Sequence, residues 1–177
     1  ILNIGIKDEN SIVYCQCFYS NNEVFFKGKR TEVSAVLRDL TPFDGDKKRI
    51  YAKGSCFENE YVNKDGIVQK TQRNTINSLS SPYKDIIKCT FNITGVVESI
   101  VEMEENVKIR IGMIDSQWDS DNKKNIPCIK YVVVFAENDM AEKVLEELDE
   151  GCECNVVGTI VNSFGQTDEY GRPLKGG

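Results

Sequence analysis

The amino-acid sequence predicts a mainly β protein made of two successive units. Short segments rich in β-formers alternate apolar and polar residues and are separated by turn residues. Each half of the chain also has one segment with helical periodicity, and the order strand, strand, strand, helix, strand occurs in both halves. The 177 residues suit one domain of average size or two small ones, and the repeated order favours two. We therefore expect a tandem repeat.

The first unit is predicted to span residues 1–80. Its strands are expected at residues 2–6, 11–19, 23–27, 49–57 and 66–79. Between the third and fourth strands, residues 31–40 carry an apolar stripe at helical spacing, formed by Val33, Val36, Leu37 and Leu40. Thr31 is the expected N-cap of this helix, and Pro42 lies just beyond its expected end.

The second unit is predicted to span residues 83–177, after a small polar stretch that closes with Pro82. Its strands are expected at residues 89–101, 106–114, 128–135 and 153–162, with a polar loop at 115–125. A helix is expected at residues 139–150, with Asp139 as N-cap and Gly151 ending it. No fifth strand is evident near the chain end. The chain begins without Met and stops at Gly176-Gly177, so we expect a fragment of a longer protein. The fifth strand of the second unit is then either formed poorly by residues 171–177 or lies beyond the fragment, in which case the unit is truncated at its last strand.

Three strands, a helix and two further strands form the element order of the OB-fold, a five-stranded Greek-key barrel. The sequence thus predicts two tandem OB-fold barrels, each with one short helix between strands 3 and 4. In such a barrel the helix closes the open end, which explains why each predicted helix has only a narrow apolar stripe.

The pattern is most specific over residues 131–173. There a strand at residues 131–135 leads to Ala141-Glu142 in a helix, then to a Val-x-Gly strand at residues 156–158 and an Asp-x-x-Gly hairpin at 168–171. This pattern resembles bacterial and phage-type single-stranded DNA-binding proteins. The chain has Glu150 before Gly151 where the family usually has Lys, so one basic contact of the family is missing.

The resemblance implies a cytoplasmic protein that binds single-stranded DNA without catalysis, in replication, recombination or repair. Bases would stack on aromatic rings while Lys and Arg contact the phosphates. Single-stranded RNA stays open as a ligand. Two other classes also stay open: an OB-fold protein–protein interaction module, and a non-catalytic subunit of a larger complex.

The composition excludes several chemistries. The chain has no His, so a Ser-His-Asp triad or a His-ligated zinc site is impossible within it. The absence of His, the commonest general base near neutral pH, favours a binding module, so we expect neither an enzyme nor a cofactor. No Gly-rich phosphate loop precedes a helix, so the sequence does not support nucleotide hydrolysis. The seven cysteines are interpreted as buried free thiols rather than metal ligands, and we expect no metal. No apolar run is long enough to span a membrane.

The charge is distributed unevenly along the chain. Residues 1–87 carry 13 Lys and Arg against 11 Asp and Glu, whereas residues 88–177 carry 9 against 17. The mildly basic first unit is therefore the better candidate for nucleic-acid binding, and the acidic second unit would suit a basic protein partner.

The candidate nucleic-acid-binding residues are aromatic or basic and lie in or near the predicted strands. In the first unit they are Lys27, Lys29, Arg30, Arg49, Tyr51, Lys53, Phe57, Tyr61 and Lys64, with Tyr19, Phe25, Lys70 and Arg73 as further candidates. In the second unit they are Lys108, Arg110, Trp118, Lys130 and Tyr170.

Each candidate also has a purely structural interpretation. Tyr51 and Phe57 would then belong to a barrel core, and the lysine clusters would be solvated turns. Trp118, in the predicted polar loop, would fold back over its own barrel. The sequence alone leaves both interpretations open.

Overall fold

The computed structural model describes residues 3–7, 12–40, 42–44, 47–81 and 88–160. The protein is mainly β, with a curled half-barrel sheet and a second sheet. The described residues also contain two short α-helices and one turn of 3-10 helix at Ser20–Asn22. None of these helices is long and apolar enough to cross a membrane.

The first sheet is formed by strands between residues 3 and 80. Its strands are β1 (Asn3–Lys7), β2 (Ile12–Cys17), β3 (Glu23–Phe26), β4 (Lys29–Glu32), β7 (Tyr51–Val62) and β8 (Val68–Ser80), whereas β5 (Pro42–Asp44) and β6 (Lys47–Lys48) form a separate pair. The order is β1-β2-β8-β3-β4, and β7 pairs with β8. Both β2 and β3 run parallel to β8. They therefore lie one after the other along the edge of β8 opposite β7.

One face of the first sheet is buried. Its core consists of Val13, Cys15, Cys17, Val24, Phe26, Val33, Val36, Leu40, Ile76 and Leu79. Helix α1 (Val33–Asp39) contributes Val33 and Val36 to it, as the apolar stripe predicts. The expected N-cap is wrong, because β4 pairs with β3 through Thr31 and the helix begins after Glu32.

The second sheet is an antiparallel Greek key. Its strands are β9 (Thr90–Glu102), β10 (Asn106–Asp119), β11 (Lys124–Glu137) and β12 (Glu153–Thr159), with helix α2 (Asp139–Glu147) between the last two. The spatial order β11-β10-β9-β12 places the fourth strand beside the first. Its core consists of Ile93, Val97, Val107, Ile109, Ile111, Val132, Val134, Ala136 and Val144.

The predicted loop at residues 115–125 is wrong. Strands β10 and β11 stay paired as far as Asp119 and Lys124, so only residues 120–123 form the turn. This outer half of the hairpin projects beyond the core and is exposed on both faces from Gln117 to Pro127, apart from Asp119. An apolar/polar alternation is not required there, and the sequence therefore looks like a loop. Helix α2 has Asn138 rather than Asp139 as its N-cap.

The two sheets contact each other through a long hairpin. Strands β7 and β8 extend past the first sheet, and Cys56 of β7 packs against the core of the second sheet. In the other direction, Cys89 and Ile160 pack against the core of the first sheet.

Candidate nucleic-acid interface

The exposed face of the first sheet carries a row of aromatic and basic side chains. Phe25 on β3 pairs with Arg30 on β4 and with Ser78 on β8, and Ser78 pairs with Lys53 on β7. Directly paired residues share a face of a sheet, so Arg30, Phe25 and Lys53 lie on one side. Phe25 is 42% exposed, whereas its neighbours Val24 and Phe26 are buried in the core.

Aromatic rings and cations are in contact along this row. The Arg30 guanidinium lies 4.3 Å from the centre of the Tyr19 ring. Tyr19 in turn lies 6.5 Å from the Phe25 ring, and the Lys53 ammonium lies 5.5 Å from the Tyr51 ring. Such contacts hold a cation beside a π-face without neutralising it. We call these five residues, Tyr19, Phe25, Arg30, Tyr51 and Lys53, the stacking face.

The two cations of the stacking face have no carboxylate partner among the described residues. Within the described part of the chain, no carboxylate lies within ion-pair distance of Arg30 or Lys53. Such groups remain available for an anionic partner such as a phosphate. Tyr51 is only partly buried and does not belong to either core, so its core interpretation is not supported.

Strand β7 extends this face along the hairpin. Residues 51, 53, 57 and 61 point to one side because side chains alternate along a strand. Phe57 pairs with Arg73 of β8, and the Lys130 ammonium lies 4.7 Å from the Phe57 ring. Tyr61 is exposed near the turn that contains Lys64, and Arg49 lies just before β7.

Lys130 is also paired with a carboxylate. Its ammonium forms an ion pair with Asp115 across the β10–β11 hairpin. A hydrogen bond from Lys130, together with one from the Ser116 backbone, lowers the pKa of the Asp115 carboxyl. Less of the Lys130 charge is therefore available to a phosphate.

Two of the expected basic residues lie off the stacking face. Lys27 and Gly28 form a two-residue turn with positive φ angles of 48° and 80° between β3 and β4. The Lys27 ammonium lies 2.6 Å from the Asp39 carboxylate on α1. Lys29 pairs with the buried Phe26, so its side chain leaves the strand on the face opposite to that of Arg30.

Three expected residues of the second sheet share a different surface. Lys108 and Arg110 alternate with buried residues on β10 and therefore point away from the core. Trp118 has the same parity on the strand but lies beyond the core. Trp118 is 60% exposed and does not fold back over the core. Arg110 is bound to Glu58 and Glu98 and lies over the Tyr131 ring. Tyr170 lies outside the described residues.

The structure adds one aromatic residue that was not expected. Phe18 is exposed and makes an edge-to-face contact with Tyr19, with ring centres 5.2 Å apart. It follows the end of β2, where the chain turns into the 3-10 helix. The apolar run at residues 11–19 was interpreted as one strand, and that run gave no sign that its last residues leave the sheet.

The cysteines offer no metal site among the residues that the structure describes. All seven are free thiols, of which Cys15 and Cys17 are buried and Cys152 is exposed. Burial raises the pKa of the Cys15 and Cys56 thiols to about 11, so both are poor nucleophiles near neutral pH.

Comparison with protein-family models and with curated proteins found no match. The functional argument therefore rests on the residues and contacts of this chain.

Proposed function

We propose that the protein binds single-stranded DNA, without catalysis, on the stacking face of the first sheet. The observation that carries the proposal is the row across β4, β3, β8 and β7, in which Arg30, Phe25 and Lys53 share one exposed face. Aromatic side chains beside cations are what a single strand needs, since its bases are unstacked and its phosphates are charged.

The expected contacts correspond to a modest affinity for single-stranded DNA. Stacking of one base on an aromatic ring contributes roughly 1–3 kcal/mol. Three rings and two cations without a carboxylate partner among the described residues would hold a few nucleotides. Each phosphate contact releases counterions, so the affinity should fall as the salt concentration rises. The logarithm of the binding constant should fall against the logarithm of the salt concentration with a slope of about −0.7 per contact.

The topology of the second sheet supports an OB-fold origin. An order of 4-1-2-3 with a helix between the third and fourth strands agrees with the first four strands of an OB-fold barrel. The first sheet has a different order, in which two short strands share one edge of β8. We propose that both units are variants of this barrel and that the protein acts in replication, recombination or repair.

The experiment is a titration of a fluorescently labelled oligo-dT with the full chain, followed by anisotropy at low and high salt. The proposal requires saturable binding that weakens with salt and is competed by unlabelled single strands. Competition by the same sequence as a duplex or as RNA defines the ligand class.

A matched pair of variants locates the binding surface. Arg30→Gln removes a free cation from the stacking face, and Lys29→Gln makes the same charge change on the neighbouring residue of β4, on the other side. Arg30→Gln should weaken binding about tenfold and make the salt slope shallower by about 0.7. Lys29→Gln should have little effect. Equal effects of both would indicate nonspecific charge attraction.

Protein binding is the second candidate function, and one observation favours it. Ile114 is 90% exposed and pairs with the exposed Ile129 on the β10–β11 hairpin, on the same face of β10 as Trp118. An exposed apolar surface of this kind is typical of protein interfaces. If the protein is instead an interaction module or a subunit of a larger complex, Ile114→Ser should abolish partner binding and leave oligo-dT binding unchanged.

A further inference from the structure

Arg110 connects the two sheets through a dense set of polar contacts. Its Nε and Nη2 atoms donate hydrogen bonds to one Glu58 carboxylate oxygen, at 2.8 and 2.7 Å, and Nη1 binds the Glu98 carboxylate. The guanidinium also stacks at 3.7 Å from the centre of the Tyr131 ring. Glu58 belongs to the β7–β8 hairpin, whereas the other three residues belong to the second sheet.

The contact is shielded from water. The Arg110 side chain is 19% exposed and that of Glu58 is 11% exposed. A charged pair with this little exposure is screened weakly, and loss of one partner leaves the other charge desolvated and uncompensated. Two carboxylates also outnumber the one guanidinium, so little positive potential is left to attract a phosphate.

Two weaker contacts strengthen the same junction. The backbone N–H of Val133 on β11 donates a hydrogen bond to the Gln72 side-chain oxygen on β8, at 3.2 Å. Cys56, two residues before Glu58 and on the same face of β7, packs against the second core. Together these contacts hold the β7–β8 hairpin along the free edge of β11.

We propose that Arg110 is a positioning residue that clamps the β7–β8 hairpin onto the second sheet, and that it is not a phosphate contact. The clamp itself does not depend on the proposed function, but its effect on DNA binding does. The clamped hairpin carries Phe57 and Tyr61 on the same side as the stacking face, so it extends the surface over which a longer strand can stack. At about 3.4 Å per residue, the eight steps from Lys53 to Tyr61 add roughly 27 Å.

The substitution Glu58→Gln distinguishes the two roles of Arg110, because each role predicts an opposite change in the affinity for oligo-dT. If Arg110 bound phosphate, loss of the competing carboxylate would free its charge and strengthen oligo-dT binding. If Arg110 clamps the hairpin, the loss would loosen the hairpin and weaken binding of long strands. Glu60→Gln is the matched control. Glu60 lies on the same face of β7 and its main partner is the exposed Lys70 of the hairpin itself, whereas Arg110 affects it only as a weaker charge effect.

A readout without DNA reports the clamp directly. Alkylation of Cys56, followed site by site with peptide mass spectrometry, should be slow in the native protein because this thiol packs into the second core. Glu58→Gln should raise its rate about tenfold or more, while Glu60→Gln leaves the rate unchanged. Cys17, buried in the first core, is the internal control and should not change.

The binding assay then uses oligo-dT of about 8 and about 30 nucleotides, within and at the upper end of the site sizes expected for two OB-folds. Glu58→Gln should weaken the binding of the long oligonucleotide several-fold and leave the binding of the short one unchanged. Tighter binding of both, with Cys56 still protected, would overturn the inference. If no oligonucleotide binds but Glu58→Gln exposes Cys56, the clamp stands and the proposed function fails.

A milder variant covers the case in which Glu58→Gln does not fold. Gln72→Ala removes the hydrogen bond to Val133 and the hydrogen bond between the Gln72 side chain and the Cys56 thiol, and Gln72 is exposed. The second hydrogen bond lowers the pKa of Cys56, so its loss alone would slow alkylation, and a faster reaction reports exposure of the thiol. The substitution should raise the Cys56 alkylation rate several-fold. A rate that stays unchanged after correction for the measured pKa of the Cys56 thiol would contradict the clamp.

Discussion

Phe25→Leu separates base stacking from charge. Phe25 is the central ring of the row across the first sheet, with a basic residue on each side. The substitution keeps an apolar side chain on β3 but removes the π-face. The single change therefore tests whether the stacking face binds bases or only attracts phosphates.

The expected loss follows from the stacking energy. One base on one ring contributes roughly 1–3 kcal/mol, which corresponds to a 5- to 150-fold weaker affinity for oligo-dT. No charge changes, so the slope of affinity against salt should stay the same. Phe25 is 42% exposed, so the fold should lose about 1 kcal/mol or less.

The assay is fluorescence anisotropy of labelled oligo-dT over a series of salt concentrations, with urea unfolding measured in parallel. Phe135→Leu is the matched control, since Phe135 is also exposed but lies on β11 of the second sheet. The stacking argument is refuted if Phe25→Leu binds as tightly as the native protein, or if Phe135→Leu loses as much affinity.

Three further predictions concern stability and reactivity. Gly54→Ala should destabilise the fold by about 3 kcal/mol or more in urea unfolding, because an added Cβ would lie 1.7 Å from the Thr75 carbonyl oxygen; near-native stability would contradict the close approach of β7 to β8. The pKa of Asp115 is lowered in the folded state, so its ion pair with Lys130 stabilises the protein at pH values above the ordinary pKa of 3.8, and this stabilisation is lost as the pH falls below that value. Asp115→Asn should flatten this part of the acid-unfolding curve, and an unchanged curve would refute the pairing. Iodoacetamide at mildly alkaline pH should modify the exposed Cys152 well before Cys15, whose pKa is about 11, and the reverse order by peptide mass spectrometry would contradict the burial of Cys15.

Local patterns predicted many elements of the fold. The apolar stripe at residues 33–40 placed helix α1, and the strict alternation from Val107 to Met113 placed the buried face of β10. These patterns are reliable because each one is set by burial of a single face. Where burial stops, as in the outer half of the β10–β11 hairpin, the pattern vanishes although the pairing continues.

Long-range pairing was outside the reach of these patterns. The order of the first sheet depends on β2 and β3 lying parallel to β8, some 50 to 60 residues away in the chain. Alternation gives the face of a strand but not the identity of its neighbour. The repeated element order predicted two similar units, whereas the two sheets have different strand orders.

In the candidate site, too, local patterns predicted which way side chains point but not which distant residues they contact. Alternation correctly marked Arg110 as pointing away from its own core, and a basic residue there was a reasonable phosphate contact. Its partner Glu58 lies 52 residues earlier, on a hairpin of the other sheet. Only the tertiary structure reveals that the charge is compensated. Conversely, the contact between Arg30 and Tyr19 joins two segments that were considered separately.

Photocrosslinking is the most direct test of the proposed binding surface. An oligo-dT in which some thymines are replaced by iodouracil is irradiated with the full chain, and the crosslinked residues are identified by peptide mass spectrometry. Our account predicts crosslinks to Tyr19, Phe25 and Tyr51 that decrease as salt is added. Crosslinks confined to the second sheet, for example to Trp118, or no crosslinks at low salt with a folded protein, would contradict it.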